Sequence, residues 1–285
     1  MLDPRHPTLR YRLDKGDRLG VAWLSLGSVA VAELAARARP DAIVLDLQHG
    51  LWDRPAMEHA IGVIPSSVPV LARVAENTPS AIGQALDAGA EGVIVPLVET
   101  AEQARAAVRA AHYPPHGERS GGGVRPLANF LDYVEAARRA VVVCVMIETE
   151  RGVRNARAIA ATEGVDLVFI GTGDLALSLG TFPAFDERHE AACQQVMAAC
   201  RAEWTLCGTF TGSTEAARTR REQGFRMVVT ANDIDLVAKG FAQASELYAV
   251  RPAQPPVALA AAPGGPPARL PPRAKPSRSK RRPKR

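Results

Sequence analysis

Predominantly apolar runs alternate with helical patterns along most of the chain. The runs are GVAWLSLGS (20–28), DAIVLDLQHG (41–50), PVLARV (69–74), EGVIVPLV (91–98), VVVCVMIETE (141–150), VDLVFIG (165–171), TLCGTF (205–210) and FRMVVT (225–230). They are built from β-branched and other apolar residues and lack the strict polar alternation of a half-exposed strand, which predicts strands buried on both faces. Helical periodicity separates nearly all of them. It runs through VAVAELAARARP with Ser28 as cap, residues 55–64, TPSAIGQALDAG, ETAEQARAAVRAAHY, residues 131–139, residues 186–203 and TEAARTRREQG. A last helix, DIDLVAKGFAQASELYAV, follows the final run. Eight strands alternating with helices predict an α/β chain folded as a (β/α)8 TIM barrel. The rival, a doubly wound sheet, needs a Gly-rich phosphate turn after its first strand, and VAWLSLGSVA matches G-x-G-x-x-G poorly.

From residue 251 the pattern stops. Pro, Ala, Gly and basic residues follow without periodicity, which predicts a disordered basic C-terminal tail over 251–285 and a barrel domain over 1–250. The tail changes how charge is read. The chain carries a net +5, yet the tail holds ten Lys or Arg and no acid, leaving 25 basic against 30 acidic residues in 1–250. The body is therefore mildly acidic. A weak, salt-dependent contact between the tail and polyanions is one reading, and a solvated extension without a partner is the plainer one.

Four cysteines, Cys144, Cys193, Cys200 and Cys207, show neither metal-ligand pairing nor the density of a disulfide scaffold. The charged N-terminus does not read as a signal peptide and no apolar run approaches membrane-spanning length, so a reducing, cytoplasmic setting is expected.

In a barrel of this kind the chemistry sits where strands run out into loops. Trp23, Asp46, Gln48, His49, Arg73, Glu148 and Asp174 all fall at such exits. Glu148 and Asp174 close consecutive strands, where a carboxylate after an apolar run is costly without compensation. A shared divalent cation would supply it, and hard carboxylate oxygens suit Mg2+ or Mn2+. First-turn helix acids remain the structural alternative. Arg73 needs an anionic partner, which could be a substrate carboxylate or enolate oxygen, or else Asp46 or Glu148. His49, three residues after Asp46, suits a base held by an acid. Before the tail the only lysines are Lys15 and Lys239, neither at a strand end, which excludes Schiff-base catalysis.

The run from DAIVLDLQHG through PVLARV, ALDAGAEGVIVPLVETAEQARAAVRAAHYPPHGERS, VMIETERGV and GVDLVFIGTGDLALSLG resembles the HpcH/HpaI aldolase family, over roughly residues 18–248. Its members include 2-keto-3-deoxyglucarate and 4-hydroxy-2-oxoheptanedioate aldolases. The resemblance implies reversible cleavage of a 4-hydroxy-2-oxo acid to pyruvate and an aldehyde through a metal-stabilised pyruvate enolate. Glu148 and Asp174 would hold Mg2+ or Mn2+, with Co2+ as an alternative. Arg73 would stabilise the enolate oxygen. His49, oriented by Asp46, would transfer protons through a metal-bound water. Backbone amides of Gly173 and Asp174 would bind the pyruvate carboxylate, and Trp23 would line the pocket. Asp87 would act from a neighbouring subunit of a homo-trimer or homo-hexamer whose last helix is exchanged. Gln48 stands where many members carry Glu, Thr172 replaces a usual Pro, and Met146 stands where some have Gln. A related lyase acting on malyl-CoA or citramalyl-CoA is the nearest enzyme alternative. A catalytically idle barrel with a polyanion-binding tail is the non-enzyme one.

Overall fold

The computed structural model describes residues 7–247. Eight parallel strands close into a barrel in chain order: β1 (Leu19–Leu24), β2 (Ala42–Asp46), β3 (Val70–Arg73), β4 (Gly92–Val95), β5 (Val142–Ile147), β6 (Leu167–Ile170), β7 (Leu206–Thr209) and β8 (Met227–Asn232). All eight expected strands are present, and β1 pairs with β8 to complete the ring. The TIM-barrel expectation holds.

Strand parity sets the interior. Side chains alternate across a strand, so one set in each points into the barrel and the other meets the helices. Leu19, Val21 and Trp23 of β1, Ala42 and Val44 of β2, Leu71 of β3, Ile94 of β4 and Val142, Cys144 and Met146 of β5 form one buried cluster with Leu167, Phe169, Met227 and Val229. The alternate positions, such as Ile43, Leu45, Val143 and Val145, form the second cluster with the helices. Small residues let those helices approach closely: Ala104, Ala107, Ala110 and Ala111 are the buried residues of helix Ala101–Ala111. Inside the barrel, Gly208 makes room for a large neighbour. A Cβ there would lie 2.9 Å from the Phe169 ring and 2.9 Å from the Met227 carbonyl oxygen.

Two elements depart from the sequence pattern. The polar lead contains a short helix, Leu9–Asp14, capped by Thr8, whose Leu9 and Leu13 join the interior cluster. It is anchored at the strands' N-terminal end, where Glu91 accepts the Leu9 N–H at 2.8 Å and Arg10 forks onto Asp166. With one apolar pair among charged residues, it gave no periodic signal. The irregular stretch after His112 also holds a short turn of helix, Val124–Leu127.

The chain divides into two compact units, Met1–Phe241 and Ala242–Arg285. Of the second, only the last turns of helix Asp233–Leu247 are described. The boundary at 250 and the disordered tail expected over 251–285 lie outside the described residues. No described helix is long and apolar enough to cross a membrane.

Candidate active site

The parity that fills the barrel also builds its mouth. Asp46 continues the inward series of Ala42 and Val44, Arg73 that of Leu71, and Glu148 that of Val142, Cys144 and Met146. Trp23 ends the inward series of β1. A chain that must be apolar below can therefore be polar only at the last inward position of each strand. Asp46 and Arg73 are register partners on β2 and β3. Arg73 donates from Nε to Oδ1 at 2.8 Å and from Nη2 to Oδ2 at 2.5 Å, a bidentate pair buried on both sides. Oδ1 also accepts the backbone N–H groups of Gln48 and His49 at 3.1 and 3.2 Å. Oδ2 accepts Trp23 Nε1 at 3.3 Å and Ser25 Oγ at 3.2 Å. Burial pushes the Asp46 carboxyl up, but Arg73, with the His49 N–H and the Trp23 indole, holds it below the usual carboxylate range. Trp23 in turn lies 5.0 Å beneath the Arg73 guanidinium and packs edge-on against Phe210.

Across the mouth, Glu148 is almost fully buried. Its Oε1 accepts the N–H of Leu97 at 2.8 Å, while its Oε2 has no hydrogen-bond partner. Leu97 makes this contact from a left-handed backbone, φ +55°, unusual for a residue with a side chain. Burial raises the Glu148 carboxyl to about 7; the Leu97 N–H opposes this and the Asp174 carboxylate adds to it. Asp174 lies in the first turn of helix Thr172–Leu179, which follows β6 and has Gly171 without a side-chain cap at its start. Gly171 is needed there, because a Cβ would sit 2.5 Å from Glu148 Oε2. The turn is tied from behind. His189, buried on helix Glu187–Ala202, donates Nε2–H to the Thr172 carbonyl at 3.0 Å.

Two expected residues stand differently from the rest. His49 is exposed at the mouth, and Asp46 meets its backbone N–H rather than its imidazole. Asp87 ends helix Pro79–Asp87, which starts on the mouth side after β3, so it points to the opposite end of its own barrel. There it accepts Arg119 Nη2 at 2.8 Å. Sequence reading missed Ser25, Leu97, His189 and Asp233. Only Asp233 left a signal, as a third acid closely following a strand.

Residues 19–240 match the sequence model of the family described as HpcH/HpaI aldolase/citrate lyase. The chain belongs to that family. It is 34% identical over 250 residues to a hydroxypyruvate/pyruvate aldolase of Paraburkholderia phytofirmans, covering 83% of this chain and 95% of that one. It is 37% identical over 226 residues to a 4-hydroxy-2-oxovalerate aldolase of Rhodococcus jostii, covering 76% and 86%. Among solved structures, an HpcH/HpaI aldolase/citrate lyase family protein from Burkholderia cenocepacia J2315 superposes with a TM-score of 0.80 at 35% identity, over 84% of this chain and 98% of that one.

HpcH/HpaI aldolases are generally dependent on a divalent metal. The donor set here fits such an ion: an unpartnered, buried carboxylate oxygen on Glu148 faces a second carboxylate, and neither meets a compensating arginine directly. Among the described residues no cluster of three or more His, Cys, Asp or Glu side chains is assembled. Two protein ligands would leave the remaining positions of a hard cation to water and substrate oxygens.

Proposed function

We propose that this chain is a metal-dependent aldolase that reversibly cleaves a 4-hydroxy-2-oxo acid to pyruvate and an aldehyde. The observation that carries the reading is the orphaned Oε2 of buried Glu148 beside Asp174, across the mouth from the Arg73–Asp46 pair. The names of the aldolase relatives support the same chemistry.

Glu148 and Asp174 would hold Mg2+ or Mn2+, with Co2+ as an alternative, supplying a Lewis acid for the oxygens of the 2-oxo acid. The rest falls to the chain. Asp46 occupies Nε and Nη2 of Arg73, and among the described residues no acceptor engages Nη1. That nitrogen is left for the enolate oxygen of pyruvate, its plane fixed by the fork to Asp46 and the Trp23 ring. Gly173 and Asp174 present first-turn N–H groups to the substrate carboxylate. His49, exposed and held by its backbone, moves the proton of the C4 hydroxyl, and Gln48 beside it lines the approach. In cleavage the C4 hydroxyl loses its proton, the C3–C4 bond breaks, and its electron pair becomes the enolate that is then protonated at C3. No lysine is required.

A homo-trimer or homo-hexamer with an exchanged last helix completes the reading. Helix Asp233–Leu247 exposes Ile234, Leu236 and Phe241, the last 71% accessible. On β8 the outward Thr230 is exposed, and a cavity of about 340 Å³ over β1 and β8 combines Gly20, Ala217 and Val228 with the charged Asp41, Arg218 and Arg221. In the assembly Asp87 would reach a neighbour's mouth. The free, buried cysteines suit a reducing, cytoplasmic setting.

The test is pyruvate release from 4-hydroxy-2-oxo acids with Mg2+, Mn2+ or Co2+ and with chelator. Glu148→Ala and Asp174→Ala should each abolish the metal-dependent rate. Full activity of either variant in chelator would overturn the reading.

A further inference from the structure

Asp233 opens the last helix, and its carboxylate is spent elsewhere. Its Oδ1 accepts the Ser25 N–H at 2.8 Å and its Oδ2 accepts the Leu26 N–H at 2.9 Å. The residue is 3% exposed and makes no ion pair among the described residues. An acid in the first turn of a helix ordinarily faces solvent and favours the helix dipole. That duty is discharged here by other groups, because Asn232 Oδ1 accepts the Asp235 N–H at 2.8 Å, the hydrogen bond of an N-cap. Asp233 is therefore free to grip the loop after β1.

What it grips leads to the site. Ser25 is nearly buried, its carbonyl accepts the Leu51 N–H at 2.7 Å, and its hydroxyl donates to Asp46 Oδ2 at 3.2 Å. Asp46 Oδ2 is also the oxygen that takes Arg73 Nη2 and Trp23 Nε1. An unbroken series of hydrogen bonds thus runs from Asp233 through Ser25 and Asp46 to Arg73, spanning more than 200 residues of sequence.

We propose that Asp233 is a positioning residue for the cleavage step, setting Ser25 so that Asp46 holds the Arg73 guanidinium in its working plane. A buried carboxylate with two backbone donors and no other partner fixes the loop more tightly than the neutral amide of Asn would, since hydrogen bonds to a charged acceptor are the stronger kind. The inference rests on the aldolase reading for its kinetic consequence only.

The experiment compares Asp233→Asn, Ser25→Ala and the double variant in the full chain, on a Trp204→Phe background. The readouts are kcat and KM for metal-dependent pyruvate release, thermal melting, and indole emission. Ser25→Ala removes the hydroxyl but keeps both N–H groups that hold Asp233, so it reads the link without loosening the loop. Each single change should lower kcat by about tenfold or more with KM little altered, the size of a lost supporting hydrogen bond. The double variant should be no slower than the slower single one, because both act through one series of contacts. Indole emission, which on this background comes from Trp23 and from Trp52 bonded to the Leu24 carbonyl beside the same loop, should shift in all three. Wild-type kcat in Ser25→Ala, losses that multiply in the double variant, or a lowered melting temperature in Asp233→Asn with kcat intact would each overturn the proposal. If wild-type protein releases no pyruvate, the aldolase reading fails and the emission decides: unchanged emission in all variants overturns the positioning role, and a shared shift supports it.

Discussion

Arg73 and Asp46 sit opposite one another on adjacent strands and meet fork to fork, at 2.8 and 2.5 Å, with both side chains buried. The pair is a fixed part of the barrel wall, and it presents one remaining guanidinium nitrogen to the site.

Removing one member should therefore cost far more than an exposed ion pair would. Asp46→Ala strands a buried guanidinium, and such losses run to about 3–5 kcal/mol. Urea unfolding should show a drop of that order. Arg73→Lys keeps the charge but loses the fork and the stacking on Trp23. It should fold, yet lose about 10²–10³ in kcat, the scale of one missing oxyanion donor.

Glu148 gives a pH dependence whose sign is fixed. Its carboxyl stands at about 7 in the metal-free protein against the ordinary 4.5. The folded chain holds that proton more tightly than the unfolded chain, so Glu148 costs stability increasingly as pH rises from 4.5 through 7. Metal-free protein should melt lower at pH 8 than at pH 5.5, to the extent set by this group. Glu148→Gln should melt higher than wild type at pH 8 and gain little at pH 5.5. Added Mn2+ should stabilise wild type at pH 8 and leave Glu148→Gln nearly unchanged, because cation and proton compete for the same oxygens.

Gly171 is a third lever. A methyl group at this position would lie 2.5 Å from Glu148 Oε2 and 3.0 Å from Met146 Sδ. Gly171→Ala should displace the carboxylate oxygen left free for the cation. Overpacking of this kind costs about 1–3 kcal/mol. Weakened Mn2+ binding in calorimetry, measured on folded protein, is the expected outcome.

The exposed face of the last helix predicts assembly. Phe241→Asp should lower the solution mass measured by light scattering, since it places a charge on the apolar helix face that Phe241 forms with Ile234 and Val237. On the proposed reading, in which Asp87 completes a neighbour's mouth, the smaller species should also lose activity.

The barrel was legible because its signal is periodic: eight apolar runs, each with a polar residue at its exit, need no knowledge of distant partners. Glu148, Asp174, Arg73 and Asp46 stood out for the same reason, as charges at the ends of strands otherwise devoid of them. Ser25 and His189 could not be found this way. Their roles depend on Asp46 and on the Thr172 carbonyl, contacts that only the closed barrel creates. Leu97 was invisible because its contribution is a backbone N–H held at positive φ. For Asp87 the hidden part was its partner, because Arg119 lies 32 residues away and meets it only in the folded chain.

The short helix Leu9–Asp14 turns the barrel into a stoppered vessel. Leu9 and Leu13 seal the floor, and Phe169, Met146 and the aliphatic side chains above them fill the shaft. Substrate and products of the proposed cleavage thus share one doorway. On the proposed reading, with pyruvate held between Glu148 and Arg73 and the aldehyde in front of it, release should be ordered with pyruvate last.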